Sequence, residues 1–363
     1  EAYDLMDIDD IGRNFALNTI KEPDVEWHRL DEPAFSLTGV YYDEGDACYR
    51  RAPRSLGESI DNPQLVALSA MTSGGRFRFR SDSPYVALRA VIPKGEIMHH
   101  MPIAGQFGFG GYVNGAYFGV FDCGQKTITE AKGTEIAFET IRPLHTFATA
   151  GEINDFDFFF PLYSGVIAVF VGIKQGATLL PPKPLTVEKP IVFYGSSITQ
   201  GGCASHPGND YAGMLARWLD ANIVNLGFSG NGKGELPVAN YLADIDASVM
   251  VLDYDHNSNL KQLKERHYPF YRAIREKKPE LPIILISKPD FENGYDNRER
   301  RAVIRATYEN ALTAGDRYID FIDGETLFGT RHRECFTVDT THPNDAGFFR
   351  MAECICPVIE KWL

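Results

Sequence analysis

The sequence predicts an α/β protein in two parts. An all-β sandwich occupies 1–180, a Pro-rich connection covers 181–190, and 191–363 form a domain on an open five-stranded parallel sheet with helices on both faces. Three observations carry this reading. The first half alternates short β-rich runs with Gly, Asn, Asp and Pro turns and has little helical period. The second half repeats an apolar run, a loop and a helical stretch, as βα units do. Between them stand Pro181, Pro182, Pro184 and Pro190, where the rhythm changes.

In the first half, strands are expected at Arg76–Arg80, Tyr85–Val91, Phe107–Tyr112, Tyr117–Phe121 and Val166–Val171, many with period-two alternation. The most apolar stretch, Phe158–Ile173, is broken by Pro161 and Gly165; it is too short to span a bilayer and reads as two buried strands. In the second half, strands are expected at Ile191–Tyr194, Asn222–Leu226, Ser248–Leu252, Pro282–Ser287 and Tyr318–Ile322. Helices are expected at Tyr211–Leu219, at Glu235–Leu242, in a region ending near Lys278, at Arg298–Ala314 and from Asp345 onward. Ligands of such sheets bind beyond the carboxyl ends of the strands, so the loops after the strands are where chemistry belongs.

Composition narrows the function. The 363 residues suit two domains, and 44% hydrophobic with 23% charged residues is ordinary globular chemistry. A net charge of −13, from 36 Lys and Arg against 49 Asp and Glu, argues against nucleic acid or an anionic membrane as the main partner. The six cysteines are scattered and read as reduced thiols, which favours the cytoplasm; a secreted form with its signal peptide removed is the alternative. Self-association is left open.

Four loops carry the candidate chemistry. After the first strand comes Tyr194-Gly-Ser-Ser-Ile-Thr-Gln-Gly-Gly202, a strand-to-helix turn that exposes a hydroxyl at the top of the sheet. After the fifth comes Asp339-Thr-Thr-His342-Pro-Asn344, a carboxylate and an imidazole three apart. A serine nucleophile needs a base, and the base needs a carboxylate to fix its tautomer. Asn225-Leu-Gly-Phe-Ser-Gly-Asn-Gly-Lys-Gly-Glu235 and Asp253-Tyr-Asp-His-Asn257 follow the second and third strands; a glycine N–H and an asparagine amide from them are candidate oxyanion donors. A competing reading takes Gly227-x4-Gly232-Lys233 as a phosphate-binding loop, with Asp253 as the magnesium-polarising acid. Gly234 stands where that loop needs Ser or Thr, and the serine and histidine loops would go unexplained.

These four loops, in this order, resemble the blocks of the SGNH/GDSL hydrolase superfamily. The resemblance implies a flavodoxin-like three-layer αβα domain, with Ser197 as nucleophile and oxyanion donor, Gly230 and Asn257 as the other donors, and Asp339 and His342 completing the triad. Two blocks depart from the usual pattern: Ser196 replaces the aspartate of Gly-Asp-Ser, and Asp255-His256-Asn257 replaces Gly-Asn-Asp. With Gly201-Gly-Cys-Ala-Ser205 and Asn225-Leu-Gly-Phe-Ser-Gly230, these variants resemble a bacterial subgroup carrying an N-terminal, jelly-roll-like β-domain. Its Gly-Phe-Asp-Leu-Tyr-like strand is similar to Gly108-Phe-Gly-Gly-Tyr112, with Gly110-Gly111 departing.

The resemblance implies a serine esterase of short acyl esters, acetyl foremost, on a small molecule or a carbohydrate, with an acyltransferase on the same triad as alternative. A nucleotide-binding protein and a non-catalytic carbohydrate-binding protein rank below. No cofactor or metal is required. His256 and His206 are candidates for the substrate pocket, Cys203 and Tyr194 for packing, and His99-His100 for a strand pair facing opposite ways.

Overall fold

The structure is a computed structural model describing residues 20–144, 151–289, 294 and 296–363. Contacts divide it into two units. The described residues up to Arg51, with Ala70–Pro184 and Ser205–Pro207, form the first; Ala52–Ser69, Leu185–Ala204 and Gly208–Leu363 form the second.

The first unit is a sandwich of two antiparallel sheets. One has four strands, in the order Val25–Arg29, Ala168–Lys174, Tyr85–Pro93, Glu135–Pro143. The other is six-stranded and centred on Arg76–Ser81, Asn154–Phe159 and Phe109–Val113. Alternation decides which face is buried. In Arg76-Phe-Arg-Phe-Arg80 the two phenylalanines are fully buried, stacking on Phe158 and Phe156 of the neighbouring strand at 5.0 and 4.7 Å. Such cross-strand pairs contribute roughly 0.2–1 kcal/mol each. Arg76 faces the other side of the sheet, where it is also buried, and pairs with Asp157.

The expected strand at Phe107–Tyr112 begins two residues later, because Ile103–Phe107 form a short helix. Gly110 is required where it stands: a Cβ there would meet Pro207 O at 2.0 Å. His99 and His100 are not on a strand. They lie in a turn with their rings 5.0 Å apart, so the opposite-face expectation fails.

The second unit opens with a helical hairpin, α1 (Arg54–Glu58) and α2 (Pro63–Leu68). Asn62 caps α2 and Pro63 occupies its first turn, where a missing N–H is harmless. The α/β body follows: β1 (Val187–Gly195), α3 (Ser197–Gln200), α4 (Tyr211–Trp218), β2 (Ala221–Gly227), α5 (Leu236–Asp244), β3 (Val249–Asp253), α6 (Leu260–Lys277), β4 (Ile283–Ile286), α7 (Asn297–Thr313), β5 (Ile319–Ile322) and α8 (Asp345–Glu360). The strands are parallel in the order β2-β1-β3-β4-β5, the flavodoxin-like arrangement, whose switch point lies between β1 and β3.

Helices cover both faces. α4 packs with α8, and α5, α6 and α7 pack in series. Strands covered on both sides read as continuous apolar runs, and Ile191–Tyr194 and Val249–Leu252 are almost completely buried. Pro190 lies inside β1, where a register shift between Val187 and Ile191 accommodates a residue that cannot donate to the ladder. All six cysteines are free thiols, and no helix among the described residues is long and apolar enough to cross a membrane.

Candidate active site

At the switch point, Gly195 ends β1 between Gly227 of β2 and Asp253 of β3. A Cβ on Gly195 would meet Thr199 Oγ1 at 1.9 Å and Asp253 O at 2.4 Å, so only glycine lets the chain turn so sharply. Ser196 then caps α3, its Oγ accepting from Ile198 N at 3.1 Å. Aspartate, usual at this position in the blocks described above, is an equally good helix cap, so Ser196 can fill that capping role without a buried charge.

Ser197, the first residue of α3, places its Oγ 2.8 Å from His342 Nε2. His342 Nδ1 lies 2.7 Å from Asp339 Oδ2. The other carboxylate oxygen accepts from His342 N at 2.7 Å and Thr341 N at 3.0 Å. Thr340 makes that grip by adopting φ +71°, a left-handed conformation rare for a β-branched residue. Behind it the loop closes on itself: His342 O accepts from Val338 N and Thr337 Oγ1, and Asn344 caps α8. Partial burial pushes the Asp339 carboxyl up, but the His342 amide and ring and the Thr341 amide outweigh it and hold it below its ordinary range.

Most backbone N–H groups of the loop after β2 have protein acceptors. Gly227 N donates to Asn225 Oδ1, Phe228 N to Gly195 O, Ser229 N to Gln200 Oε1, Asn231 N and Gly232 N to Phe228 O, and Gly234 N to Tyr194 Oη. Those amides are committed to protein acceptors and so are not free to cradle a phosphate. Gly230 differs. Among the described residues its N–H has no protein acceptor; it is exposed, at φ +68°, and a Cβ there would meet nothing within 4 Å. Asn257 Nδ2 donates to Phe228 O at 3.2 Å, which ties the third loop to the second; among the described residues its other amide hydrogen has no acceptor. Ser197, at the start of α3, and His342, Asp339, Gly230 and Asn257, on loops, thus all follow strands of one sheet.

The remaining candidates sort themselves. His256 pairs with Asp255 through Nδ1 at 3.0 Å, and its Nε2 is buried without a partner among the described residues. Burial holds this imidazole below its ordinary pKa, against the pull of Asp255. His206 belongs to the first unit, where it stacks on Tyr117 at 4.0 Å and meets Ser205 Oγ. Cys203 is buried, and burial pushes its thiol up to about 12. Tyr194 packs against Tyr254 and Phe270.

Asp253 is not a metal ligand in waiting. It is fully buried under the nucleophile turn and accepts from Thr199 Oγ1 at 3.2 Å and Tyr211 Oη at 3.1 Å. Burial, then the charge of Asp255, raises it from 3.8 to about 7, against the two hydroxyls. Folded protein therefore holds a proton that unfolded chain has lost, and this group makes stability fall as pH rises from 3.8 through about 7. Urea midpoints measured across that range should decline less steeply in Asp253→Asn than in wild type; parallel curves would contradict this.

Residues 188–360 match the GDSL-like lipase/acylhydrolase family, and 25–179 match the N-terminus of SGNH-hydrolase-type esterases. The chain carries a GDSL-like lipase/acylhydrolase domain. Among solved structures, this acylhydrolase is similar to a protein from Bacteroides ovatus ATCC 8483 assigned as a GDSL-like lipase. That match has 27% identity over 93% of this chain and 98% of the other, with a TM-score of 0.80. It is also similar to the salicylyl-acyltransferase SsfX3 of a tetracycline biosynthetic pathway, at 21% identity over 91% and 95% of the two chains, TM-score 0.73. A third is Est2A, an acetyl xylan esterase from the rumen bacterium Butyrivibrio proteoclasticus, at 12% identity over 93% and 98%, TM-score 0.57. No match was found among curated proteins. The acylhydrolase is thus an ester hydrolase of the GDSL/SGNH type.

Proposed function

We propose that the acylhydrolase removes short acyl groups, acetyl foremost, from hydroxyls of a carbohydrate through an acyl-enzyme on Ser197. The observation that carries this is the continuous chain Ser197 Oγ, His342, Asp339, at 2.8 and 2.7 Å. Ser197 Oγ attacks the ester carbonyl carbon while its proton passes to His342 Nε2, and Asp339 stabilises the imidazolium. The carbonyl oxygen, now an anion, takes hydrogen bonds from Gly230 N–H, Asn257 Nδ2 and Ser197 N–H. Collapse breaks the bond to the alcohol, which leaves with the proton from Nε2. Water then repeats the cycle: it gives its proton to His342, attacks the acyl carbon, and expels Ser197, which recovers the proton as the carboxylic acid departs.

The carbohydrate and the acetyl group rest on the likeness to carbohydrate esterases such as Est2A. Hydrolysis of p-nitrophenyl acetate, butyrate and octanoate ranks the acyl group, with acetate expected fastest. Acetylated xylan and mannan oligosaccharides test the alcohol. The likeness to SsfX3 favours a second reading, transfer to an acceptor alcohol. Partition of the acetyl group between water and added sugar separates the two, and transfer that outpaces hydrolysis would replace the first reading by the second. Asn257→Ala is expected to lower kcat ~10²-fold as one oxyanion donor is lost; an unchanged kcat would remove Asn257 from the site.

A further inference from the structure

The hairpin α1–α2 lies far upstream of the α/β body in sequence, yet it reaches the loop that bears Gly230. Asn62 Nδ2 donates to Asn231 Oδ1 at 3.0 Å across 169 residues of chain. Each amide in this contact has its orientation set by a second bond. Asn62 Oδ1 is committed to Leu65 N at 3.1 Å as the cap of α2, so Nδ2 is the end that faces Asn231. The backbone of Asn62 is held too, its N–H by Gly57 O and its carbonyl by Val66 N. Asn231 therefore presents its oxygen to Asn62 and its Nδ2 to Ser229 O at 2.8 Å, with Gln64 Oε1 at 3.4 Å.

Ser229 O and Gly230 N–H belong to the same peptide group. That group is planar, with its C=O and N–H pointing in opposite directions, so a bond that pins the oxygen also aims the hydrogen. Gly230 itself supplies little restraint: it is a glycine in the left-handed region with open space beside it. The geometry points to Asn62 as a positioning residue: through Asn231 it fixes the Ser229–Gly230 peptide plane and aims the Gly230 N–H as an oxyanion donor. This rests on the proposed role of Gly230. It makes the hairpin, encoded among the residues of the β-domain, a working part of the hydrolase. A preorganised donor is worth most when it need not reorient during reaction, which is what such a brace supplies.

Two substitutions at Asn62 keep the cap and remove the amide donor. Asn62→Ser leaves Asn231 unheld. Asn62→Asp attracts the Asn231 amide hydrogens and so turns its oxygen against Ser229 O. With p-nitrophenyl acetate, Asn62→Ser is expected to lower kcat about 10-fold, a fraction of the ~10²–10³ carried by a whole donor, with KM within about twofold. Asn62→Asp should lose more. Asn231→Ala should match or exceed Asn62→Ser, and the double variant should be no worse than Asn231→Ala alone.

A hairpin that only stabilises the fold would lower the thermal midpoint and leave kcat of the folded enzyme untouched. Wild-type kcat in folded Asn62→Ser or Asn62→Asp, or losses that multiply in the double variant, would overturn the relay. Ser197→Ala separates this from failure of the esterase reading. If Ser197→Ala is inert while the Asn62 variants keep full kcat, the relay alone fails; if Ser197→Ala stays active, the esterase reading falls with it.

Discussion

Ser197→Ala is expected to lower kcat on p-nitrophenyl acetate by ~10⁴–10⁶-fold, as removal of a serine nucleophile does in enzymes of this logic. Oγ is the only atom lost, and its partner, 2.8 Å away, is the ring nitrogen that would take its proton. His342→Ala should cost nearly as much, and the double variant little more than either, because nucleophile and base act as one unit. Neither change should unfold the protein, since Ser196, not Ser197, caps the nucleophile helix. In wild type, mass spectrometry of enzyme quenched during turnover should find the acyl group on Ser197. A Ser197→Ala enzyme that keeps more than a few per cent of wild-type kcat would end the proposed mechanism.

Much of this was legible in the sequence because both signals are local. Alternation in Arg76–Arg80 and the buried runs Ile191–Tyr194 and Ser248–Leu252 follow from which faces a strand must bury, and the strands lie where those patterns put them. The loops that bear Ser197, Gly230, Asn257 and His342 follow from strand ends. What stayed hidden depends on which side chain meets which partner, near or far in the chain. Asn62-Pro63 announces a helix start, but nothing local says that its helix joins the α/β unit rather than the sandwich. Ser196 reads as a departure until its bond to Ile198 N is seen. Gln200 and Asn231 hold the second loop by side-chain bonds that no spacing rule foretells. His99-His100 was misplaced because two adjacent histidines carry no signal that separates a turn from a strand.

Asp339→Asn tests whether the carboxylate fixes the tautomer of His342, and the expected loss in kcat is ~10⁴-fold near neutral pH. The two oxygens of Asp339 divide the work: one accepts from the backbone amides of Thr341 and His342, the other from His342 Nδ1. Asparagine has a single oxygen, and two backbone donors compete for it. Its NH₂ is then left facing Nδ1, which must become an acceptor, and the ring proton moves to Nε2. That nitrogen would donate to Ser197 Oγ instead of taking its proton. Nitrogen NMR of His342 should show the change of tautomer directly. Stability should respond as well. Asp339 is held below its ordinary range in the fold, so its contribution is present above that range and is lost as pH falls through the lower folded value. The acid limb of the stability curve should therefore be shallower in Asp339→Asn. A variant with near-wild-type kcat and the wild-type tautomer would show that the loop backbone orients His342 without the carboxylate.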